Sequence, residues 1–138
     1  MTARARVFTY DVTLDDDWAA RSALGGATIP EEEAWTPEHL LLAALCRCTL
    51  TSFRYHARRA GHEPLTRASG HGVVTRREDD GRFALVEARI DVHVDLPTRP
   101  APAEVAALIM KGERDCFVGA SLTAKPDYHW TVNGEDFS

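Results

Sequence analysis

One helical segment limits what this chain can fold into. Thr36 suits an N-cap, Pro37 suits the first helical position, and Gly61 suits a C-terminal stop. A helix of this span is about 36 Å long at a rise of 1.5 Å per residue. A domain of 138 residues has little other material with which to cover it on all sides. We therefore expect a second chain to cover part of this helix.

The first half of the predicted helix is apolar on almost every side. Between Leu40 and Leu50, only Arg47 and Thr49 interrupt a run of leucine, alanine and cysteine. Because a helix that is apolar all round is normally buried, we expect this half to be deeply buried. Arg47, Arg54 and Arg58 fall on one stripe of the helix. That stripe marks the side that reaches solvent or a partner.

The other segments alternate between strand and helix patterns, which predicts an α+β fold in a single domain covering residues 1–138. The stretch from Asp15 to Trp35 is long for a loop, so it leaves room for a further short strand or hairpin. The remaining predicted elements are a strand at Arg4–Leu14 with one buried face, a hairpin of His71–Glu78 and Phe83–Leu96, a helix at Pro102–Arg114 with Val105, Leu108, Ile109 and Gly112 on one face, and a closing strand holding Tyr128, Trp130 and Val132.

Composition excludes several classes of function. The net charge of -5 gives no reason to expect binding to nucleic acid, which requires a basic face. The N-terminus has no apolar signal core, and the longest apolar run, Leu40–Cys46, is too short to cross a bilayer. We therefore expect a cytoplasmic protein without membrane association. In that reducing compartment, three cysteines indicate core residues, metal ligands or redox groups rather than a structural disulfide framework.

The cysteines do not form a metal site by their spacing. Cys46 and Cys48 are two positions apart on a helix and point about 160° away from each other, and a second pair of zinc ligands is missing. We expect neither a metal nor another cofactor. Burial in the core remains an ordinary alternative for every cysteine, because free cysteine is among the most buried residue types.

Two cysteines that the fold brings together can act as a reversible dithiol couple. The thiolate of one attacks a peroxide to give a sulfenic acid, and the second thiol condenses with that acid to a disulfide. Cys48 is predicted in the middle of a helix, so we expect no helix N-terminus to lower its pKa. A nearby cation is then needed, and an arginine held by a carboxylate is the usual choice.

Two segments resemble one known family. The segment Trp35-Thr-Pro-Glu-His-Leu-Leu-Leu-Ala-Ala-Leu-Cys-Arg-Cys48 is similar to the central-helix signature of the OsmC/organic hydroperoxide reductase family. That signature has a Pro-Glu opening, an apolar run, and a cysteine ten residues after the glutamate, as in Glu38 and Cys48. The segment Glu113-Arg-Asp-Cys116, followed by Phe117 and Ser121, resembles the second-cysteine region of the family. The order of elements also agrees from about residue 35 to residue 132.

The resemblance implies an OsmC-like fold, in which a long buried central helix packs on an antiparallel sheet within an intertwined homodimer. It implies reduction of organic hydroperoxides, or less selectively of hydrogen peroxide, with an external dithiol as reductant. By position, Cys48 matches the peroxidatic cysteine and Cys116 the resolving cysteine. Glu38 matches the carboxylate that orients an arginine.

The chain departs from the family pattern at two points. Cys46 stands where family members often have a small residue, so a third thiol is expected near the site. The activating arginine belongs before the long helix, where Arg21 is the favoured candidate and Arg4 and Arg6 are alternatives.

The spacing of Glu38 and Cys48 constrains the site. In a straight helix the two are separated by about 15 Å along the axis and by about 80° in direction. One straight helix cannot place both around one peroxide. Either the helix is broken between them, or Glu38 serves the Cys48 of the other chain.

Two other functions are compatible with the same residues. One is a module without catalytic activity that uses the OsmC fold to bind a small apolar ligand or to sense redox state through its thiols. The other is a structural domain with buried thiols, which predicts slow reaction of all three cysteines with thiol reagents.

Overall fold

The computed structural model describes residues 5–137. The chain divides into two compact units, and the boundary in the sequence falls between Thr36 and Pro37. The expectation of one domain over the whole chain stays a prediction.

The N-terminal unit is built on a short antiparallel pair. β1 (Val12–Leu14) pairs with β2 (Ala20–Ser22), and Ala20 also forms a bridge with Ile29. The short strand expected between residues 15 and 35 is therefore confirmed.

The strand expected from Arg4 to Leu14 is wrong in two respects. Among residues 5–14, the strand covers Val12–Leu14, and Arg4 lies outside the described residues. The alternating apolar side chains, expected to form a buried face, are exposed in the single chain: Phe8, Tyr10, Val12 and Leu14. Alternation in a sequence shows that side chains share a face, but it does not show what covers that face.

The second unit begins with α1 (Pro37–Arg59), and Gly61 follows it with a φ of 88°. Only a residue without a Cβ adopts this conformation freely, which explains why the helix ends here. The predicted helix is confirmed, and it is continuous. A break between Glu38 and Cys48 is therefore excluded.

Burial along α1 differs from the expectation. Leu45, Thr49 and Phe53 are fully buried, whereas Leu40 is 38% exposed and Ala44 is exposed. Deep burial of the first half is therefore wrong for the single chain, since it lacks the material to cover it. The three arginines of the predicted stripe are exposed, as expected.

The strands of the main sheet are numbered in chain order, and they lie side by side in that same order. β3 (Leu65–Arg76) and β4 (Phe83–Asp95) form the predicted hairpin, and β3 begins earlier than predicted. β5 (Asp127–Val132) pairs parallel to β4, and β6 (Glu135–Asp136) closes the sheet antiparallel to β5. The sheet is thus mixed rather than antiparallel.

The parallel pairing follows from the connection between β4 and β5. α2 (Pro102–Arg114) and the short α3 (Phe117–Ser121) lie between the two strands in sequence. A crossover of this length allows the chain to return in the same direction. α2 matches its predicted bounds, and the four residues predicted on its inner face are buried.

Glycines allow the helices and the sheet to approach closely. A Cβ at Gly112 of α2 would lie 3.3 Å from the Cα of Phe53 in α1. A Cβ at Gly72 of β3 would lie 3.2 Å from both terminal methyl groups of Leu42. The Phe53 and Trp130 rings are 5.1 Å apart, so α1 and β5 meet in the core. This packing fixes the position of the middle of α1, where Cys48 lies.

Candidate redox site

The structure brings two cysteines together that are far apart in sequence. Cys48 lies in the middle of α1, and Cys116 is the N-cap residue of α3. The backbone N–H of Val118 donates to the Cys48 Sγ at 3.5 Å. The two thiols are close enough for Cys116 to raise the pKa of Cys48. The fold therefore places Cys48 and Cys116 in one neighbourhood of the same chain.

Hydroxyl and amide groups surround the second thiol. Cys116 is 0% exposed. The N–H of Gly119 donates to its Sγ at 3.4 Å, and the Oγ1 of Thr49 lies 3.5 Å from the same sulfur. Thr49 Oγ1 is also 3.1 Å from the hydroxyl of Tyr128. A chain of hydrogen bonds therefore leads from Tyr128 through Thr49 to Cys116.

Burial governs the ionisation of Cys48. Loss of solvent raises the pKa of the Cys48 thiol, the Val118 N–H lowers it, and the neighbouring Cys116 raises it again, so that the net change is upward. The expectation that no helix N-terminus reaches Cys48 is wrong, because the Val118 amide belongs to the first turn of α3. That amide does not compensate for the lost solvent.

Cys46 points elsewhere. A Cβ built on Gly70 would lie 3.0 Å from the Cys46 Sγ, so this sulfur packs against β3. Burial raises the pKa of the Cys46 thiol. The prediction that residues 46 and 48 point apart is confirmed, and Cys46 lies outside the dithiol pair.

Glu38 stands in the first turn of α1 and is exposed. Because α1 is unbroken, Glu38 lies about 15 Å along the helix axis from the Cys48 of its own chain. The structure does not bring these two residues together within one chain. A second chain remains the route by which Glu38 could reach a cysteine.

The candidate arginines belong to the N-terminal unit. Arg21 Nη1 lies 2.8 Å from Asp15 Oδ2, and Nη2 lies 3.3 Å from Asp17 Oδ2. The hydrogen bond that Arg21 donates to Asp17 is the main cause of the raised pKa of the Arg21 guanidinium. Arg6 lies over the ring of Phe8 at 5.3 Å. The role of Arg21 as the activating cation stays a prediction.

A hydrogen bond to α1 anchors the segment that carries Cys116. Asp115 Oδ2 lies 2.7 Å from His56 Nε2 of α1 and 2.9 Å from Arg114 Nη2. The Arg114 guanidinium, followed by His56, lowers the pKa of Asp115 to about 2. Asp115 thus joins α1 to the residue just before the second thiol.

Sequence reasoning missed the polar groups around Cys116. For Thr49, the available signal in the sequence is that a polar residue interrupts the apolar run of α1. Tyr128 was assigned only to the alternation of the last strand. The amides of Val118 and Gly119 depend on α3, which was not predicted. Within residues 5–137, no group of three or more His, Cys, Asp or Glu side chains is arranged to hold a metal ion.

The geometry defines an α+β protein with a dithiol pair between a long helix and the segment that follows a second helix. The family described as OsmC-like protein matches residues 30–131 of this chain. The chain therefore belongs to the OsmC-like protein family, and the α+β fold class is confirmed.

Solved structures agree with this fold. An OsmC-like protein of unknown function from Vibrio cholerae is 11% identical, with a TM-score of 0.73 over 90% of this chain and 99% of that one. An OsmC-like protein from Mycoplasma pneumoniae is 18% identical, with a TM-score of 0.69 over 94% and 99% of the two chains. The organic hydroperoxide resistance protein OhrB of Bacillus subtilis is 18% identical, with a TM-score of 0.59 over 91% and 98%.

No curated protein matches the sequence. Across residues 5–137, none of the helices combines the length and the apolar character that crossing a membrane requires.

Proposed function

We propose that this protein is a thiol peroxidase of the cytosol that reduces organic hydroperoxides. The Cys48 thiolate attacks the terminal oxygen of the hydroperoxide, the O–O bond breaks, and the departing alkoxide takes up a proton to leave as an alcohol. The resulting Cys48 sulfenic acid condenses with the Cys116 thiol, which forms a disulfide and releases water. An external dithiol then reduces this disulfide and is itself oxidised to a disulfide.

The observation that carries the proposal is the contact of Cys48 with the segment that begins at Cys116. The Val118 amide at 3.5 Å from the Cys48 Sγ lies two residues after Cys116. A sulfenic acid on Cys48 would therefore form within reach of a second thiol.

Apolar surroundings support an organic rather than an inorganic peroxide. The side chains of Cys48, Leu50 and Val118 are only partly buried, and they pack against the apolar core. An alkyl group gains free energy from such a surface, whereas hydrogen peroxide does not. The Bacillus subtilis protein of the same fold carries the name organic hydroperoxide resistance protein.

A homodimer is part of the proposal. The N-terminal unit exposes apolar side chains, including Phe8, Tyr10 and Leu14, and α1 exposes Leu40. Exposed apolar patches of this kind are typical of protein interfaces. In the dimer, Glu38 of one chain would orient an arginine, Arg21 by preference, beside the Cys48 of the other.

The test of the activity is stopped-flow mixing of the reduced protein with an alkyl hydroperoxide and with hydrogen peroxide, followed by a count of free thiols. We expect faster reaction with the alkyl hydroperoxide and the loss of two thiols per chain. Cys48→Ser should abolish the reaction, and Cys116→Ser should allow one oxidation and then stop. Cys46→Ala is the matched control, because this thiol faces β3. Inactivity of Cys46→Ala with activity of Cys48→Ser would contradict the assignment.

The activating groups have a separate test. Glu38→Gln and Arg21→Ala should each slow peroxide reduction, and the double variant should be little slower than either, because the two act as one unit. In each variant the pKa of Cys48, read from the pH dependence of alkylation, should rise. If Arg21→Ala changes neither the pKa nor the rate, Arg6 and Arg4 are the next residues to replace.

One observation favours a second candidate function. Within the chain, burial raises the pKa of Cys48, which is the opposite of what a fast peroxidase needs at neutral pH. A protein that binds a small apolar ligand, or that senses oxidants through one slow oxidation, would tolerate such a thiol. A rate of alkylation typical of a buried neutral thiol in the assembled protein, together with no turnover, would establish this alternative.

A further inference from the structure

Cys48 and Cys116 differ in their access to solvent. Cys116 is fully buried, whereas Cys48 is only partly buried. A thiolate breaks a disulfide by attacking one sulfur while the other sulfur leaves. An external thiol can approach Cys48 from solvent, but it cannot reach Cys116 without opening the core. Attack on Cys48 makes Cys116 the leaving group.

Cys116 is also the sulfur whose surroundings suit a departing negative charge. The Gly119 N–H points at it from 3.4 Å, and Thr49 Oγ1 lies at 3.5 Å. Tyr128 stays protonated because burial raises the pKa of its phenol, so it can donate to Thr49 at 3.1 Å. The Thr49 oxygen then accepts from Tyr128, and the Thr49 hydroxyl can donate its own proton to the Cys116 Sγ. Hydrogen bonds to a charged acceptor are about twice as strong as those between neutral groups.

We propose that Thr49 and Tyr128 are positioning residues which stabilise Cys116 as the leaving thiolate, so that the reductant always attacks Cys48. This inference rests on the proposed dithiol couple and adds the direction of its recycling. The first thiol of the reductant bonds to Cys48 Sγ as the Cys48–Cys116 bond breaks, and the electron pair of that bond goes to Cys116. The second thiol of the reductant then attacks the mixed disulfide and releases Cys48 as a thiolate. The dithiol has lost two electrons and two protons, and the protein has gained them.

The two hydroxyl groups are arranged for this step rather than for packing alone. Thr49 lies on the face of α1 that meets the core, where an apolar residue would be expected. Its hydroxyl is placed between two groups from distant parts of the chain, Cys116 and Tyr128. In the disulfide state the Cys116 sulfur carries no charge, and the hydrogen bonds are weak. They strengthen as charge develops on that sulfur, which lowers the barrier to its departure.

The first experiment maps the site of attack. The disulfide is prepared with diamide in the Cys46→Ala background, which makes the experiment independent of peroxide reactivity. A monothiol, 2-mercaptoethanol, is added, the reaction is quenched with acid, and the freed thiol is alkylated before peptide mass spectrometry. We expect the mercaptoethanol adduct on Cys48 and the alkyl group on Cys116. The reverse labelling, or failure of diamide to join the two cysteines, would overturn the inference.

The second experiment tests the hydroxyl groups. Thr49→Val keeps the shape of the side chain and removes the donor, and it should slow reduction of the disulfide by dithiothreitol by roughly tenfold, the effect of one lost hydrogen bond to a charged group. Tyr128→Phe should slow reduction less, and Thr49→Ser should restore the rate. Thr51→Val is the matched control, since Thr51 is exposed and its hydroxyl donates to the Arg47 carbonyl of the same helix at 2.7 Å.

The midpoint potential separates this role from a structural one. Without the Thr49 donor the reduced form loses stabilisation, so the potential of the Cys48–Cys116 couple should become more negative. A general loosening of the core would instead expose Cys116 and speed its reduction. Unchanged rate and potential in Thr49→Val would refute the proposal, and Tyr128→Phe decides the matter if Thr49→Val does not fold. A further outcome is that peroxide fails to oxidise a protein that gives the expected labelling and the expected effects of the Thr49 and Tyr128 variants. In that case the peroxidase assignment is wrong, and the inference that the reductant attacks Cys48 is still supported.

Discussion

Asp115 offers the most direct test of how the second thiol is held. Asp115 directly precedes Cys116 in the sequence. Its carboxylate contacts His56 of α1 and also Arg114, its neighbour in the sequence. These contacts lower the pKa of Asp115 from 3.8 to about 2, and Arg114 contributes most. Asp115→Asn removes the charge and keeps the size of the side chain. The substitution therefore isolates the electrostatic part of the anchor.

The expected magnitude follows from the pKa and from exposure. A pKa change of this size corresponds to about 2.5 kcal/mol at roughly 1.4 kcal/mol per pKa unit. Because 38% of the Asp115 side chain is exposed, solvent screening reduces the contribution to about 1 kcal/mol. The folded-state pKa lies below the unfolded one. The stabilisation is therefore present above about pH 4 and is lost as the pH falls towards about 2.

Urea denaturation measures this contribution. At pH 7, Asp115→Asn should lower the free energy of unfolding by about 1 kcal/mol. The difference from wild type should shrink as the pH is lowered towards 3. Asp95→Asn, a substitution at an exposed position of β4, is the control and should change little. Equal stability at pH 7, or a difference that grows in acid, would refute the reasoning.

Labelling connects the same variant to the site. If Asp115 holds the start of α3 against α1, its loss should increase transient opening around Cys116. Arg114 stays beside Asp115 when this segment opens, so only the His56 share of the ~1 kcal/mol is lost, and alkylation of Cys116 should speed up by less than about fivefold. Unchanged labelling of Cys116 would mean that packing, not the ion pair, holds this segment.

The remaining predictions concern packing around the pair. Leu45→Ala, at a fully buried position, should lower the free energy of unfolding by about 2–5 kcal/mol in urea titrations. Gly112→Ala should lower the melting temperature, because the new Cβ would lie 3.3 Å from the Phe53 Cα. The cost of overpacking, about 1–3 kcal/mol, outweighs the gain in helix propensity from glycine to alanine, about 1 kcal/mol. Cys46→Ala should keep the rate of peroxide reduction and lose a little stability in the same titrations, since its sulfur packs on β3.

Local signals in the sequence predicted the elements best. The proline that opens α2 and the helical spacing of its apolar residues gave bounds that the structure confirms. The parallel pairing of β5 with β4 depends on a long connection, and no local pattern encodes it. The N-terminal alternation predicts one buried apolar face, whereas its side chains are exposed in the single chain. Alternation alone does not show what covers a face.

For the site, the cysteine pair could be predicted and its surroundings could not. The resemblance to the OsmC-like family supplied Cys48 and Cys116, and the fold brings them together. The bond between Thr49 and Tyr128 joins residues 79 positions apart, so only the packed sheet and helix reveal it. The amide that reaches Cys48 belongs to a five-residue helix whose sequence carries no strong helix signal. Contacts of this kind arise from tertiary structure.

The ionisation of Cys48 links assembly to chemistry. Within one chain, the Val118 amide does not offset the loss of solvent, and the pKa of this thiol stays raised. Each pKa unit above neutral reduces the reactive thiolate about tenfold at pH 7. A peroxidase built on this fold must therefore add positive charge at Cys48 from outside the α1 environment described here. If a second chain supplies it, activity per chain and the acidity of Cys48 should fall together when the protein is diluted until it dissociates. Constant activity per chain across that dissociation would show that one chain holds the complete site.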